Sequence, residues 1–174
     1  MPSGHTHDRI TLWFLPVVAG CTFALTNHST STLMICAGYL FGGLMLGPDL
    51  DIHSVHYKRW GWLRWIWLPY RGSMKHRSPW SHAPVTGTTV RVLYLLAWLS
   101  VFSFVAVAIA NELWQFGWTW DEIGSIISQT IWRYRSEAIA FAVGLELGAF
   151  NHYTADWLVS SLKQQRRQKK KQRK

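Results

Sequence analysis

The chain has 174 residues, 49% of them hydrophobic and 15% aromatic, and it carries a formal net charge of +9. This length fits one domain and excludes a second sizeable core. Cys21 and Cys36 lie inside apolar stretches without Cys-x-x-Cys spacing, which excludes a thiolate metal site and argues against a disulfide framework. Twelve tryptophans are a heavy load for a soluble domain, and tryptophan is enriched at the membrane–water boundary.

Four apolar segments follow one another along the chain. The first runs from Leu12 to His28, the second from Ser31 to Pro48, the third from Val90 to Ala110 and the fourth from Ala138 to Leu162. A membrane-spanning helix needs about 20 apolar residues, and these segments lack the alternation of a strand. The sequence therefore predicts an all-α fold, a membrane-embedded bundle of about four helices.

Glycines spaced four residues apart occur on two of these segments. The pairs are Gly38 with Gly42 and Gly43 with Gly47 on the second segment, and Gly144 with Gly148 on the fourth. Small residues at this spacing let helices approach closely in lipid. We therefore expect the second and fourth helices to pack together.

The charges of the loops predict a topology. Six basic residues and no acid lie between Asp51 and the third segment, whereas the next loop has four acidic and two basic residues. The positive-inside rule puts the basic loop, and the eight Lys or Arg between Lys163 and Lys174, in the cytoplasm. Four up-and-down helices then leave both termini cytoplasmic. The predicted domains are a single helical membrane metal-binding domain (residues 1–162) and a disordered polybasic tail (163–174) that contacts membrane lipid.

The basic loop contains an aromatic stretch from Tyr57 to Trp67, in which tryptophans are interleaved with cations. This composition is typical of a segment at the membrane interface. It also occurs in proteins that stack single-stranded nucleic acid. Because the neighbouring segments look membrane-embedded, we expect lipid contact and no specific nucleic acid partner, and the sequence leaves protein partners open.

Histidines and aspartates occur in four short clusters beside the apolar segments. These are His5-Thr6-His7-Asp8, Pro48-Asp49-Leu50-Asp51, the segment from His76 to His82, and His152 with Asp156. In the predicted topology all four lie at the cytoplasmic end of the bundle. The topology rests on charge alone, so this convergence is independent support for a shared cytoplasmic site.

Histidine nitrogens and aspartate oxygens together suit a divalent metal, with zinc preferred and manganese or iron as alternatives. The predicted ligands are His7, Asp49, Asp51, His76, His82, His152 and Asp156. Two ions, or one ion with an outer His–Asp shell, would use them all. A hydrogen-bonded polar network at the mouth of the bundle is the alternative. Glu146 does not share the helix face of His152 and Asp156 and is left outside the site.

The chain resembles two related groups of bacterial membrane proteins at these residues. Pro48-Asp49-Leu50-Asp51, the His76–His82 segment and His152 with Asp156 resemble the motifs of membrane-bound metal-dependent hydrolases. A family of small proteins described as metal-binding is the closer match, over most of residues 5–160. It resembles the chain at Arg59-Trp60-Gly61, Leu68-Pro69-Tyr70-Arg71, His76-Arg77-Ser78, Ser81-His82-Ala83-Pro84, Gly87 and Arg91. The resemblance implies metal binding.

Two functions agree with these patterns. The first is a metal-dependent hydrolase acting on a phosphoester or lipid-like substrate at the interface, with Arg77 holding a substrate anion or, equally, a lipid headgroup. The second is a non-catalytic protein that senses, buffers or passes on metal ions. An open water position on the metal favours catalysis, whereas a closed shell favours structure or storage. The pattern identifies no catalytic residue.

Overall fold

The structure, a computed structural model, describes residues 4–75 and 78–172. Over these residues the chain is helical and contains no strand, which confirms the predicted all-α fold. The α-helices are α1 (Gly4–Thr26), α2 (Ser29–Leu44), α3 (Val55–Arg59), α4 (Leu68–Ser73), α5 (Pro79–His82), α6 (Thr86–Trp114), α7 (Trp120–Arg133) and α8 (Arg135–Gln172). Two short 3₁₀ helices span Pro48–Asp51 and Gly61–Trp67.

Helices α1 and α2 form a hairpin, and α8 packs along α2. Asn27 lies in the left-handed region at φ 49° and turns the chain between the two helices. The His28 ring begins α2 by accepting a hydrogen bond from the Ser31 N–H at 3.4 Å. The cap satisfies one of the N–H groups that the first turn of a helix leaves without a partner.

Glycines allow α2 and α8 to contact each other through backbone atoms. A Cβ atom at Gly38 would lie 2.1 Å from the carbonyl oxygen of Phe141, and one at Gly144 would lie 2.1 Å from the carbonyl oxygen of Ile35. A Cβ atom at Gly42 or at Gly148 would meet backbone atoms of the opposite helix in the same way. The predicted close approach of the second and fourth helices is confirmed.

The segment between α2 and α5 packs with α8 around a hydrophobic core that is rich in aromatic side chains. Its buried members, together with Leu145 of α8, are Leu46, Leu50, Tyr57, Ile66, Trp67 and Tyr70. Trp67 is fully buried, whereas Trp62 is 80% exposed. The aromatic stretch predicted to lie at the membrane interface is therefore divided, with one part in the protein core and the other facing outward.

Three helical stretches are long and apolar enough to cross a membrane: Gly4–Thr26, Ser29–Asp51 and Thr86–Trp114. They contain the second and third predicted segments and the first as far as Thr26, since Asn27 and His28 lie in the turn before α2. No residue of the most apolar stretch of α6 is buried, so this helix leaves a large apolar surface uncovered. The fourth predicted segment lies within α8, which does not meet the same length and composition criteria among the described residues. Asn151 and His152, near the middle of α8, lower the mean hydropathy of this helix.

The backbone of α8 continues through Gln172. It therefore passes residue 162 without a break, whereas the sequence predicts that the domain ends there and that a disordered tail follows. The division into a domain and a tail stays a prediction.

Replacing Gly144 with alanine should destabilise the fold, because the new methyl group would overlap the Ile35 carbonyl oxygen and force α2 and α8 apart. Overpacking of this kind costs about 1–3 kcal/mol. Gly20→Ala is the matched control, since nothing lies within 4 Å of a Cβ atom at that position. We expect thermal unfolding in detergent to show a lower midpoint for Gly144→Ala and an unchanged or higher one for Gly20→Ala. Equal midpoints would contradict the packing described.

Candidate metal centre

Seven ionisable side chains come together where α1 begins, α2 ends and α8 passes. They form the His–Asp cluster, defined as His7, Asp49, Asp51, His56, His82, His152 and Asp156. Three overlapping groups make up the cluster, and in each group possible ligand atoms lie within 4.8 Å of one another. The groups are His7 with His152 and Asp156, Asp49 with His56 and His152, and Asp49 with Asp51 and His82.

An ion pair between α1 and α3 holds His7 in position. The Arg59 guanidinium donates to both carboxylate oxygens of Asp8, with Nη1 to Oδ1 at 3.0 Å, and to the Leu44 carbonyl oxygen at 2.8 Å. A bidentate pair of this kind fixes orientation as well as distance. Asp8 is thus engaged with a cation and belongs to none of the three groups, while the neighbouring His7 is buried among them.

The 3₁₀ helix Pro48–Asp51 turns two aspartates toward the same imidazole. Asp49 Oδ1 lies 3.6 Å from His82 Nε2, and Asp51 Oδ2 lies 3.6 Å from His82 Nδ1. The Ser81 hydroxyl is also 2.9 Å from Nδ1. A partner on one ring nitrogen orients a metal-binding histidine and leaves the other nitrogen for the ion. His82 therefore faces Asp49 with Nε2, and Asp51 and Ser81 with Nδ1.

A buried arginine fixes the backbone next to His82. Arg91 of α6 is fully buried, and its Nη1 donates to the Ser81 carbonyl oxygen at 2.7 Å. Its Nη2 lies within hydrogen-bond distance of Thr88 Oγ1, at 3.2 Å, and of the Tyr153 hydroxyl, at 3.4 Å. Arg91 thus links the start of α6 and α8 to the chain that carries His82.

His56 reaches the cluster from α3 because Gly47 has no side chain. A Cβ atom at Gly47 would lie 2.5 Å from atoms of the His56 ring. The centroid of that ring lies 5.5 Å from that of His152. Burial, and then the nearby His152 ring, lower the pKa of His56 to about 4. Its imidazole is therefore neutral at pH 7, which is the form that binds metal.

His152 and Asp156 continue the glycine face of α8. They follow Gly144 and Gly148 at intervals of four residues, and residues at this interval lie on one helix face. The His152 ring stacks on the ring of His7, with centroids 3.8 Å apart and planes 16° apart. The helix contact that brings α8 against α2 thus also delivers these two side chains to the cluster.

The distances within the cluster match those of a coordination shell. His7 Nε2 lies 3.2 Å from Asp156 Oδ1, and His152 Nε2 lies 3.5 Å from Asp49 Oδ2 and 3.9 Å from Asp156 Oδ2. Around a tetrahedral ion with bonds of about 2.0–2.1 Å, ligand atoms lie roughly 3.3–3.4 Å apart. The observed separations bracket that value.

Among the described residues, several buried imidazole nitrogens of His7, His56 and His152 have no hydrogen-bond partner. They are both nitrogens of His56, both nitrogens of His152, and Nδ1 of His7. These rings are only 2–3% exposed, so water does not replace the missing partners freely. A buried polar atom without a partner costs about 1–3 kcal/mol, and a cation between the rings and carboxylates would offset that cost. The donor set of nitrogen and oxygen without sulfur fits a divalent ion.

Six of the seven predicted ligands lie in the His–Asp cluster: His7, Asp49, Asp51, His82, His152 and Asp156. The seventh, His76, and the predicted anion-binding residue Arg77 lie outside the described residues. The sequence prediction omits His56. Its spacing from Asp51 follows no ligand pattern, and the only signal is its short distance along the chain from the aspartate turn.

Glu146 performs a separate structural role. Its Oε1 accepts a hydrogen bond from the Val85 N–H at 2.8 Å, just before α6 begins. It belongs to none of the three groups of possible ligands among the described residues. Its place outside the cluster agrees with its position on a different face of α8.

The comparison with known families identifies the class of protein. A family model described as "Uncharacterized metal-binding protein (DUF2227)" matches residues 2–166. The chain belongs to this metal-binding family. A protein of Aquifex aeolicus (strain VF5), described as "Uncharacterized protein", is 42% identical over 59 residues, which are 33% of this chain and 41% of that protein. The chain thus matches less than half the length of this relative. No solved structure matches the chain.

The two matches bear on the predicted resemblances differently. The family match confirms the resemblance to small metal-binding proteins. Neither description names a hydrolase or a particular metal. These matches therefore support neither the predicted relation to membrane-bound hydrolases nor the choice of zinc.

Arg59→Gln should lower the stability of the protein, because it leaves the nearly buried Asp8 carboxylate without its cation. Loss of a hydrogen bond to a charged group costs about 1.5–3 kcal/mol, with the low end expected for a pair that solvent partly reaches. Lys58→Gln, at the exposed neighbouring position, is the control. Thermal unfolding in detergent should show a lower midpoint for Arg59→Gln alone. A matching loss in both variants would argue against a specific role for the ion pair.

His56 should make the metal-free protein sensitive to mild acid. Its pKa falls from 6.5 to about 4 on folding, so between these pH values the unfolded chain binds a proton that the folded chain excludes. The His56 contribution to the free energy of unfolding is therefore constant above about pH 6.5 and falls as the pH drops toward 4.

This effect can be measured by thermal unfolding with a chelator present, near pH 7 and near pH 5. We expect the wild type, and the exposed-site control His53→Gln, to lose more stability on acidification than His56→Gln. Equal losses in all three proteins would show that His56 is not the acid-sensitive group.

Proposed function

We propose that this protein is an integral membrane, metal-dependent hydrolase that acts on a phosphoester or lipid-like substrate. The observation that carries the metal assignment is the buried convergence of imidazoles and carboxylates, in which His7 Nε2 lies 3.2 Å from Asp156 and His152 Nε2 lies 3.5 Å from Asp49. A hydrogen-bonded polar network would also pair the nitrogens of His56, and both lack a hydrogen-bond partner. Zinc is the preferred ion, with manganese or iron as alternatives, because the donors are imidazole and carboxylate without thiolate.

The membrane assignment is supported by apolar surface that the fold leaves uncovered. Leu12, Phe14 and Leu25 of α1, and Leu99 and Phe104 of α6, are all at least half exposed. Lipid is the solvent that makes such surfaces favourable. We extend this to four crossings, with α8 as the fourth, and to a cytoplasmic His–Asp cluster. The charge of the basic loop and tail supports this topology.

Catalysis is supported by the uneven burial of the donors. The side chains of His7 and His152 are 2–3% exposed, whereas those of His82, Asp49 and Asp156 are 14–18% exposed. The imidazoles of His7 and His152 hold the inner side of the cluster, and Asp49, Asp156 and His82 lie toward a partly open side from which a substrate can approach. A divalent ion bound there would lower the pKa of a water molecule toward ~7 and polarise a phosphoryl oxygen.

A lipid-like substrate is supported by a cavity between α6 and α8. The cavity holds about 410 Å³, is lined by apolar side chains such as Val92, Leu93 and Val143, and has Glu146 in its wall. Glu146 lies six residues before His152 on α8, roughly 9 Å along the axis. The cavity therefore offers an apolar surface for an acyl chain against the helix that carries His152 and Asp156.

Metal storage or sensing without catalysis is the second candidate. It is favoured by the number of donors, because the cluster offers seven possible ligands, more than the four that a closed tetrahedral shell requires. The two candidates differ in whether the bound ion exchanges a water molecule.

The metal assignment is tested by elemental mass spectrometry on protein purified in detergent without chelator. We expect at least one zinc, manganese or iron ion per chain in the wild type and a reduced content in His152→Ala. His5→Ala is the matched control, since His5 is 83% exposed and lies outside the three groups. Absence of metal after attempted reloading, or equal metal content in both variants, would remove the proposed site.

Hydrolysis is tested on the metal-loaded protein with a panel of phosphoesters and lipids. We expect turnover in the wild type that a chelator abolishes and that His5→Ala retains. Stoichiometric metal without turnover of any substrate in the panel would favour the storage or sensing function.

A further inference from the structure

The two carboxylate oxygens of Asp49 face different histidines. Oδ1 lies 3.6 Å from His82 Nε2, and Oδ2 lies 3.5 Å from His152 Nε2. Asp49 is accordingly the aspartate that belongs to two of the three groups of possible ligands. A carboxylate whose oxygens point to two separate sets of donors has the geometry of a bridging ligand.

Each oxygen of Asp49 leads to its own donor set. On the Oδ2 side lie His152 and His56, which form one group of possible ligands with Asp49. On the Oδ1 side lie His82 and Asp51, which form a second such group with Asp49. The first set comes from α3 and α8, and the second from the 3₁₀ helix Pro48–Asp51 and α5. The cluster therefore extends as a row with Asp49 in its middle.

One ion does not account for this row. With bonds of about 2.0–2.2 Å, two ligand atoms of a single ion lie at most roughly 4.4 Å apart. Among the described residues, no group within 4.8 Å contains His82 together with His7 or His152. His82 and His152 thus serve two different positions.

We propose that the His–Asp cluster is a dinuclear metal centre in which Asp49 bridges two divalent ions, an inference that rests on the proposed metal-binding function. His56 and His152 would hold one ion and His82 with Asp51 the other, while His7 and Asp156 lie against His152 outside this pair of sites. A bridging carboxylate sets the two ions about 3.5–4 Å apart, a spacing that suits the attacking and leaving oxygens of a phosphoester. Phosphoester cleavage is therefore the reaction class that this centre favours.

The test is the number of ions per chain and their magnetic coupling in protein loaded with manganese(II). The proposal predicts two ions per chain in the wild type and an exchange-coupled electron paramagnetic resonance spectrum at low temperature. His82→Ala and His56→Ala should each retain one ion and lose the coupling, whereas His5→Ala should keep both ions. Helical circular dichroism and gel filtration check that each variant folds.

One ion per chain in the wild type, with an uncoupled spectrum and complete loss of metal in both His82→Ala and His56→Ala, would overturn the dinuclear centre and leave the metal-binding function standing. No bound ion in the wild type would overturn the metal-binding function itself. The wild-type spectrum gives its answer even if a variant fails to fold.

Discussion

Backbone contact between α2 and α8 sets the distances on which the His–Asp cluster depends. The glycines allow the two helices to touch through main-chain atoms, with carbonyl oxygens where side chains would otherwise stand. His152 lies one helical turn beyond Gly148, so a shift of α8 along or away from α2 moves the imidazole with it. Asp49 follows the end of α2 by a few residues and is tied to the same contact. Side chains at these glycines would separate the donors before any ligand was changed.

The cluster lies at an end of the bundle where many polar and charged side chains are buried. Imidazoles and carboxylates are withdrawn from water beside apolar helices, which is unfavourable unless charge and hydrogen bonding are satisfied. Arg59 neutralises Asp8 directly, and two nitrogens of Arg91 donate to backbone and hydroxyl oxygens. Neither nitrogen of His56 has a hydrogen-bond partner, and His152 Nε2 faces the carboxylates of Asp49 and Asp156. A divalent ion between these rings and carboxylates would offset the cost of burying them.

Much of this arrangement could be predicted from sequence, because it follows from periodicity and charge. The i, i+4 spacing of Gly144, Gly148, His152 and Asp156 defines one face of a helix, and the glycine pairs predict the contact with α2. His56 could not be found in this way, since its approach depends on the space left by Gly47. The burial of Trp67 was equally hidden, because an aromatic and basic stretch has the same composition whether it lies in a core or at an interface. The number of membrane crossings depends on α8, whose polar residues face the cluster and reduce the apolar signal used to recognise a span.

X-ray absorption at the metal edge of metal-loaded protein tests the central claim most directly, because it reports which atoms bind the ion. The account predicts nitrogen and oxygen ligands only, at about 2.0–2.2 Å for zinc, with the outer-shell scattering of at least two imidazole rings. That imidazole signal should weaken in His152→Ala and persist in His5→Ala. A shell that contains sulfur, or one with oxygen ligands and no imidazole, would show that the metal lies elsewhere and that the convergence of the histidines serves the fold alone.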